Sequence, residues 1–326
     1  MRRHRGRCRP GRRRLRALAR LAALVLVARA PPGSAAIISA AGDDESAQRS
    51  ERDFAPAWQN VAARSAYSAV YLGRSWMLTA AHVGAGPVRF AGPGAFEARA
   101  IAGSEVRLRN ADASPSDVLA FRIAPAPPLP GLALVRKRPR AGHRAVLVGN
   151  GFERGAPFVW RPRADALPVA GWHWSARRRL LWGTNRLDAA PASLEVHGVR
   201  TRVLAMTFDP PDSARATPRE AQVAVGDSGG GLFVREPGAS GGWELAGILI
   251  LSASRPGQPP RSALFGNRSF AADLSAYRPQ LLQLLAPACS DGRDNDGDRR
   301  SDFPADPGCL RADDDSERGP ADLFVP

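Results

Sequence analysis

Cysteine is scarce in this chain: three in 326 residues, Cys8, Cys289 and Cys309. Cys8 falls in an N-terminal leader, so two remain, enough for one disulfide closing the 289–309 loop; two free thiols are the other reading. Apolar runs long enough to span a bilayer are lacking beyond the leader, which excludes a helical anchor in the mature chain. Long amphipathic helical patterns are also missing, which counts against an all-helical fold. Lysine is nearly absent, with Lys137 alone among 46 basic residues, a usage that hints at a GC-rich bacterial source. Acidic residues are absent from positions 1–36, where eleven arginines lie, so only +4 of the formal +15 belongs to the rest of the chain. The basicity is a property of the leader, and a nucleic-acid partner loses its support.

What is present begins with that leader. An arginine-rich start, the apolar run Leu21–Ala28 and the small residues of Pro31–Ala36 make residues 1–36 a signal peptide. Arg12-Arg13-Arg14-Leu15 is a partial match to a twin-arginine signal. The expected location is secreted or periplasmic, with no membrane association after leader removal.

From Asp43 to Asp53 the chain is polar and loop-like, and after it short β-rich runs alternate with Gly, Pro, Asn and Asp clusters: Ser68–Leu72, Trp76–Thr79, Ala145–Gly149, Val199–Leu204, Gly231–Val234 and Glu244–Ile250. Many short strands separated by turns predict an all-β barrel or sandwich architecture. One helix is expected, at Arg278–Leu285, with Pro279 suited to its first turn.

Three stretches carry chemistry. Gly226-Asp227-Ser228-Gly229-Gly230 surrounds a serine with glycines, which lets backbone N–H groups converge on an attacked carbonyl oxygen. By itself it would be a Gly-rich turn before a strand. Trp76-Met77-Leu78-Thr79-Ala80-Ala81-His82 ends an apolar run on an imidazole, and Asp117 opens the run Val118–Ile123. Asp112 competes with Asp117 by position, but Asp117 is the one a strand would hold rigidly. His143, His173 and His197 have no partner motif and are read as surface or structural. Trp172, Trp174 and Trp182 are read as core or rim packing. The order His82, Asp117, Ser228 is base, orienter, nucleophile.

On L-T-A-A-H, D-V-L-A-F-R-I and G-D-S-G-G, the chain resembles the trypsin-like, chymotrypsin-fold serine peptidases, in a secreted bacterial form with an Asp-rich extension. The resemblance covers roughly residues 37–286. It implies two six-stranded antiparallel β-barrels with the cleft between them, a junction near Pro125–Arg140 and a closing C-terminal helix. It also implies catalytic His82, Asp117 and Ser228, with Gly226 and Ser228 supplying the oxyanion hole. Gln222, six residues before Ser228, would floor the specificity pocket, with Ile250, Leu251 and Ser252 along its wall. Gln222 is neutral, so a preference for Arg or Lys is not implied. Ala224 stands where the family has a cysteine. Cleavage after Ala36 would free the Ile37 amine to pair with Asp227, although Ser39-Ala40 replaces the expected glycines. The alternative is that Ile37-Ile38 is merely the first apolar pair of the mature chain.

The domain plan is therefore a signal peptide at 1–36, a peptidase domain at 37–287 and an Asp-rich tail at 288–326. Within the tail, Asp294, Asp296, Asp298 and Asp302 are spaced like the ligands of D-x-D-x-D-G-x-x-D calcium loops. Arg299 stands where glycine is expected, and a solvated acidic tail is the competing reading. The expected function is an exported serine endopeptidase acting on protein or peptide substrates. It needs no cofactor for catalysis, with Ca2+ as the one ion the tail could take. The alternative is a non-catalytic binding or adhesion protein on the same fold; an esterase would share the chemistry but usually shows another motif order.

Overall fold

Leu245-Ala246-Gly247-Ile248-Leu249-Ile250 has no polar alternation, and the structure explains why: strands here are buried on both faces. The computed structural model describes the backbone of residues 37–38 and residues 58–91, 95–196, 198–235 and 242–318. The leader and His197 lie outside the described residues.

The strands are, in order, β1 (Ile37–Ile38), β2 (Val61–Arg64), β3 (Tyr67–Gly73), β4 (Trp76–Ala80), β5 (Val88–Phe90), β6 (Phe96–Ala100), β7 (Val106–Arg109) and β8 (Pro115–Ala124). Then come β9 (Arg144–Gly149), β10 (Phe152–Trp160), β11 (Val169–Arg178), β12 (Leu181–Arg186), β13 (Ser193–Val196) and β14 (Val199–Thr207). The series ends with β15 (Ala221–Gln222), β16 (Gly231–Val234), β17 (Glu244–Ala253), β18 (Ser262–Leu264), β19 (Arg268–Asp273) and the helix α1 (Arg278–Leu284).

The first barrel is a ring, β4-β3-β2-β5-β6-β8, closed by β4 pairing back onto β8, with β7 added along β8. Every pairing is antiparallel. The second runs β12-β9-β16-β17-β19-β14-β13. It is drawn round by a single bridge from Leu187, just past β12, to Met206 on β14. The all-β, two-barrel architecture thus stands, with the second ring more loosely closed than the first. Residues 125–143 cross between them, at the expected junction. Among the features unread in the sequence are the long hairpin β10–β11, which pairs with β18, and the short β1–β15 pair.

Alternate residues on one strand feed different cores. On β3, Ala69 and Tyr71 pack with Met77, Phe90, Phe121 and Ile123, all from the first barrel. Val70 and Leu72 instead join a cluster shared with Val146, Trp182, Phe233 and Ile248 of the second barrel and Tyr277 and Leu281 of the helical end. Strands serving two cores have no solvent face, so their sequences lose period-two polarity. The helix also reaches back across the junction. The Gln280 side chain brackets Arg109 of β7, accepting its N–H at 3.0 Å and donating to its carbonyl at 2.8 Å. The Tyr277 hydroxyl donates to Asn110 at 2.9 Å.

The tail packs on the first barrel. Asp315 pairs with Arg74 in the β3–β4 turn, and the expected disulfide joins Cys289 to Cys309.

Phe121 is fully buried among Tyr71, Met77 and Phe90. Phe121→Ala is expected to lower stability by about 3–5 kcal/mol in urea unfolding, the usual cost of emptying a large core site. A loss under about 1 kcal/mol would contradict this packing.

Candidate active site at the barrel junction

His82 lies two residues past β4, and the pairing of Ala80 with Val118 sets it beside Asp117 at the start of β8. One Asp117 oxygen accepts the backbone N–H of His82 at 2.9 Å, and the other meets the imidazole Nδ1 at 2.8 Å. Asp117 is 1% exposed and the ring 19%. An ionised carboxylate only accepts, so Nδ1 carries the proton, and in the neutral ring Nε2 keeps its lone pair. Asp117 is anchored in turn: its N–H donates to Thr201 Oγ1 on β14, across the junction, at 2.9 Å. Asp112 has another role, accepting from Ser114 N–H and hydroxyl at 3.1 and 2.6 Å and pairing with Arg200. Those bonds, the Ser114 hydroxyl foremost, hold its carboxyl below the usual range.

The Ser228 loop comes from the second barrel and is clamped to the first. The Ser228 carbonyl accepts the Ser68 N–H at 3.0 Å, and the Gly226 carbonyl accepts the Ser68 hydroxyl at 3.0 Å. Gly226 (φ 103°) and Gly229 (φ 87°) occupy the left-handed region. A Cβ at Gly226 would strike the carbonyls of Ala66 and Asn150, and one at Gly229 would strike Ser68 and Thr79. Space and backbone conformation both demand glycine there. The N–H groups of Asp227, Gly229 and Gly230 donate to Ala224, Leu249 and Asp227 carbonyls. Those of Gly226 and Ser228, on either side of Asp227, donate to no described residue, and Ser228 itself is half-buried. Ser228 and the His82–Asp117 pair are therefore brought to one junction, because Ser68, which holds the loop, also accepts from Thr79 three residues before His82, at 2.8 Å.

Asp227 is fully buried. Its two oxygens accept the N–H groups of Gly151 and Ala224 at 2.7 and 2.8 Å. Gly149 and Gly151 have no room for a Cβ beside it. Burial outweighs those bonds and pushes its carboxyl up to about 7. The backbone of Ile37 pairs with that of Gln222, five residues before Asp227.

Gln222 is fully buried; its amide donates to the Ser252 hydroxyl at 2.9 Å, while its Oε1 has no partner. Leu251 and Ser252 are half-buried, but Ile250 is 1% exposed and belongs to the shared core. Trp182 is core, while Trp172 and Trp174 pack with Phe208, Phe265 and Phe152. His173 stacks on Phe158.

No protein-family model matches this chain, and no curated protein sequence does. Among solved structures it is similar to Rv3671c from M. tuberculosis H37Rv, an inactive serine-to-alanine form, at 18% identity and a TM-score of 0.43, over 76% of this chain and 96% of that one. It is similar to neuropsin, a serine protease of mouse brain, at 16% identity and a TM-score of 0.45, over 71% and 96%. A kallikrein-related peptidase complexed with Zn2+ matches at 16% identity and a TM-score of 0.42, over 71% and 95%.

In the tail, Asp296 approaches both Asp294 and Asp298, but Asp302 turns both oxygens to the Gly292 N–H, at 3.1 and 3.0 Å. Asp306 and Glu317 join the cluster from further along the chain. Sequence reasoning missed these two, along with Ser68, Thr201 and the Gly149–Gly151 corridor. None stands in a local motif, since each acts on a partner remote or irregularly spaced in the chain.

Glu220, beside β15, is 1% exposed and accepts from Asp209 N–H, Thr217 N–H and the Thr217 hydroxyl. Burial still pushes it up to about 7. Glu220 and Asp227 both hold protons more tightly folded than unfolded, where carboxyls titrate near pH ~4. Their contribution to stability is therefore fullest below about pH 4 and falls as pH rises to about 7, then levels off. The thermal midpoint is expected to drop less across that window in Glu220→Gln than in the wild type; identical slopes would show that Glu220 does not titrate there.

Proposed function

We propose that the chain is an exported serine endopeptidase that cleaves peptide bonds through an acyl-enzyme on Ser228. The observation that carries the proposal is the imidazole locked onto a buried carboxylate, on a stretch tied through Thr79 and Ser68 to the Ser228 loop, which keeps two N–H groups unspent among the described residues. His82 Nε2 takes the Ser228 proton as Oγ bonds to the substrate carbonyl carbon. The oxygen of that carbonyl, now negative, is received by the N–H groups of Gly226 and Ser228. The imidazolium, stabilised by Asp117, then gives its proton to the departing amine as the C–N bond breaks. Water, deprotonated by the same nitrogen, releases the acid and restores the serine. None of these steps calls for a cofactor.

Export and a bacterial source rest on the leader and the arginine-rich composition. Activation by a freed Ile37 amine is supported by the β1–β15 pairing and by a buried Asp227 whose raised affinity for protons a nearby cation would relieve. Gln222 offers a neutral amide where a buried carboxylate would hold an Arg or Lys side chain, so cleavage after basic residues is not preferred. The unpartnered Oε1 favours an uncharged side chain that donates a hydrogen bond.

A fluorophosphonate probe should label the wild type and not Ser228→Ala, and Asp117→Asn should lower kcat by about 10⁴-fold. A folded wild type that takes no label would sink the proposal and leave the non-catalytic binding protein standing. Among peptide substrates differing only at the cleaved residue, strong preference for Arg or Lys would overturn the assignment of Gln222 to the pocket.

A further inference from the structure

We propose that the C-terminal segment binds one Ca2+ ion among Asp294, Asp296, Asp298, Asp306 and Glu317, a site independent of the catalytic proposal. One oxygen each from Asp296, Asp298 and Asp306 lies within 4.8 Å of the others, and so does one each from Asp294, Asp296 and Glu317. Asp296 belongs to both groups, and Asp306 and Glu317 approach each other in a third group beside Cys309, so the five carboxylates form one connected cluster.

Asp306 and Glu317 are each only 1% exposed. Asp306 accepts the Gly308 N–H at 2.6 Å with one oxygen, but its Oδ2 is buried with no hydrogen-bond partner. Glu317 takes only backbone N–H groups, from Asp302 at 2.8 Å and from Asn295. Arginines 293, 299 and 300 occupy the same loop, yet among the described residues no arginine is ion-paired to any of the five acids. A buried carboxylate oxygen without a donor, inside a group of like charges without a cation, is unfavourable as it stands. A bound divalent ion resolves both problems.

The donor set selects the ion. Every donor is a carboxylate oxygen, no histidine is among them, and the nearby Cys289 and Cys309 are consumed in the disulfide. Hard oxygen ligands in this number, on an irregular loop, suit Ca2+ with its six to eight ligands at variable geometry, backbone carbonyls or water completing the shell. Two ligands arrive from beyond the Asp294–Asp298 loop, so the ion would tie three separated stretches of the tail together. The tail meets the barrel at Arg74, next to the strand that leads to His82.

The test is calorimetric titration of Ca2+ into the chelator-treated full chain, paired with thermal unfolding with and without the ion. Saturable binding of one ion and a raised midpoint are expected. Asp306→Asn and Asp298→Asn should each weaken affinity about tenfold or more. Asp313→Asn, exposed and outside the cluster, should bind as the wild type does. Asp298 is exposed, so that variant remains decisive if Asp306→Asn does not fold. Absence of heat and of any midpoint shift in the wild type overturns the proposal, as does wild-type affinity in Asp298→Asn.

Discussion

Ser68 is the residue on which the junction between the barrels depends. It stands on β3 of the first barrel, and its polar groups are spent across the interface or on the neighbouring strand. Its N–H and hydroxyl donate to the carbonyls of Ser228 and Gly226, and the hydroxyl also accepts the Asn150 N–H at 2.8 Å. Its carbonyl receives the Thr79 hydroxyl, next to the stretch that ends in His82. A fully buried serine with this many partners fixes two loops of the second barrel against two strands of the first. A shift of either barrel would break several of these bonds at once and leave buried groups unpaired, which is the costly outcome.

Other ties make the junction stiff rather than merely closed. Thr201 reaches from β14 to the N–H of Asp117, and the helix end reaches from the second barrel to Arg109 and Asn110 in the first. The largest apolar cluster runs through both barrels and the helix, so the polar ties rest on a continuous hydrophobic contact. Rigid placement would matter for the proposed site, whose groups come from both barrels, since such groups lose their value when they move apart by about an ångström. Gly149, Gly151, Gly226 and Gly229 then follow as consequences: where backbones and a buried carboxylate meet this closely, no side chain fits.

Much of this was legible in local sequence. The apolar runs fell where strands form, Pro279 stood in the first turn of the one α-helix among the described residues, and the His82, Asp117 and Gly226–Gly230 stretches announced themselves by composition and order. The β10–β11 hairpin escaped because its sequence is broken by arginine, glycine and proline. Its guanidinium groups lie over aromatic faces, Arg154 on Trp172 and Arg178 on Phe152, so charge at these positions did not mean a loop. In the tail, spacing marked Asp302, but its carboxylate is taken up by the Gly292 N–H, while Asp306 and Glu317 stood outside any periodic pattern.

The sequence by itself determined the class of fold, the order of the chemical groups and the absence of an acid at Gln222, because these depend on residue type and near-neighbour spacing. Tertiary structure alone decided which serine clamps the loop, that Ile250 is spent in the core, and which five acids gather in the tail. Each of those outcomes depends on how strands register and pack across tens of residues. Contacts at such separation are selected by the whole core and leave no mark in the residues beside them.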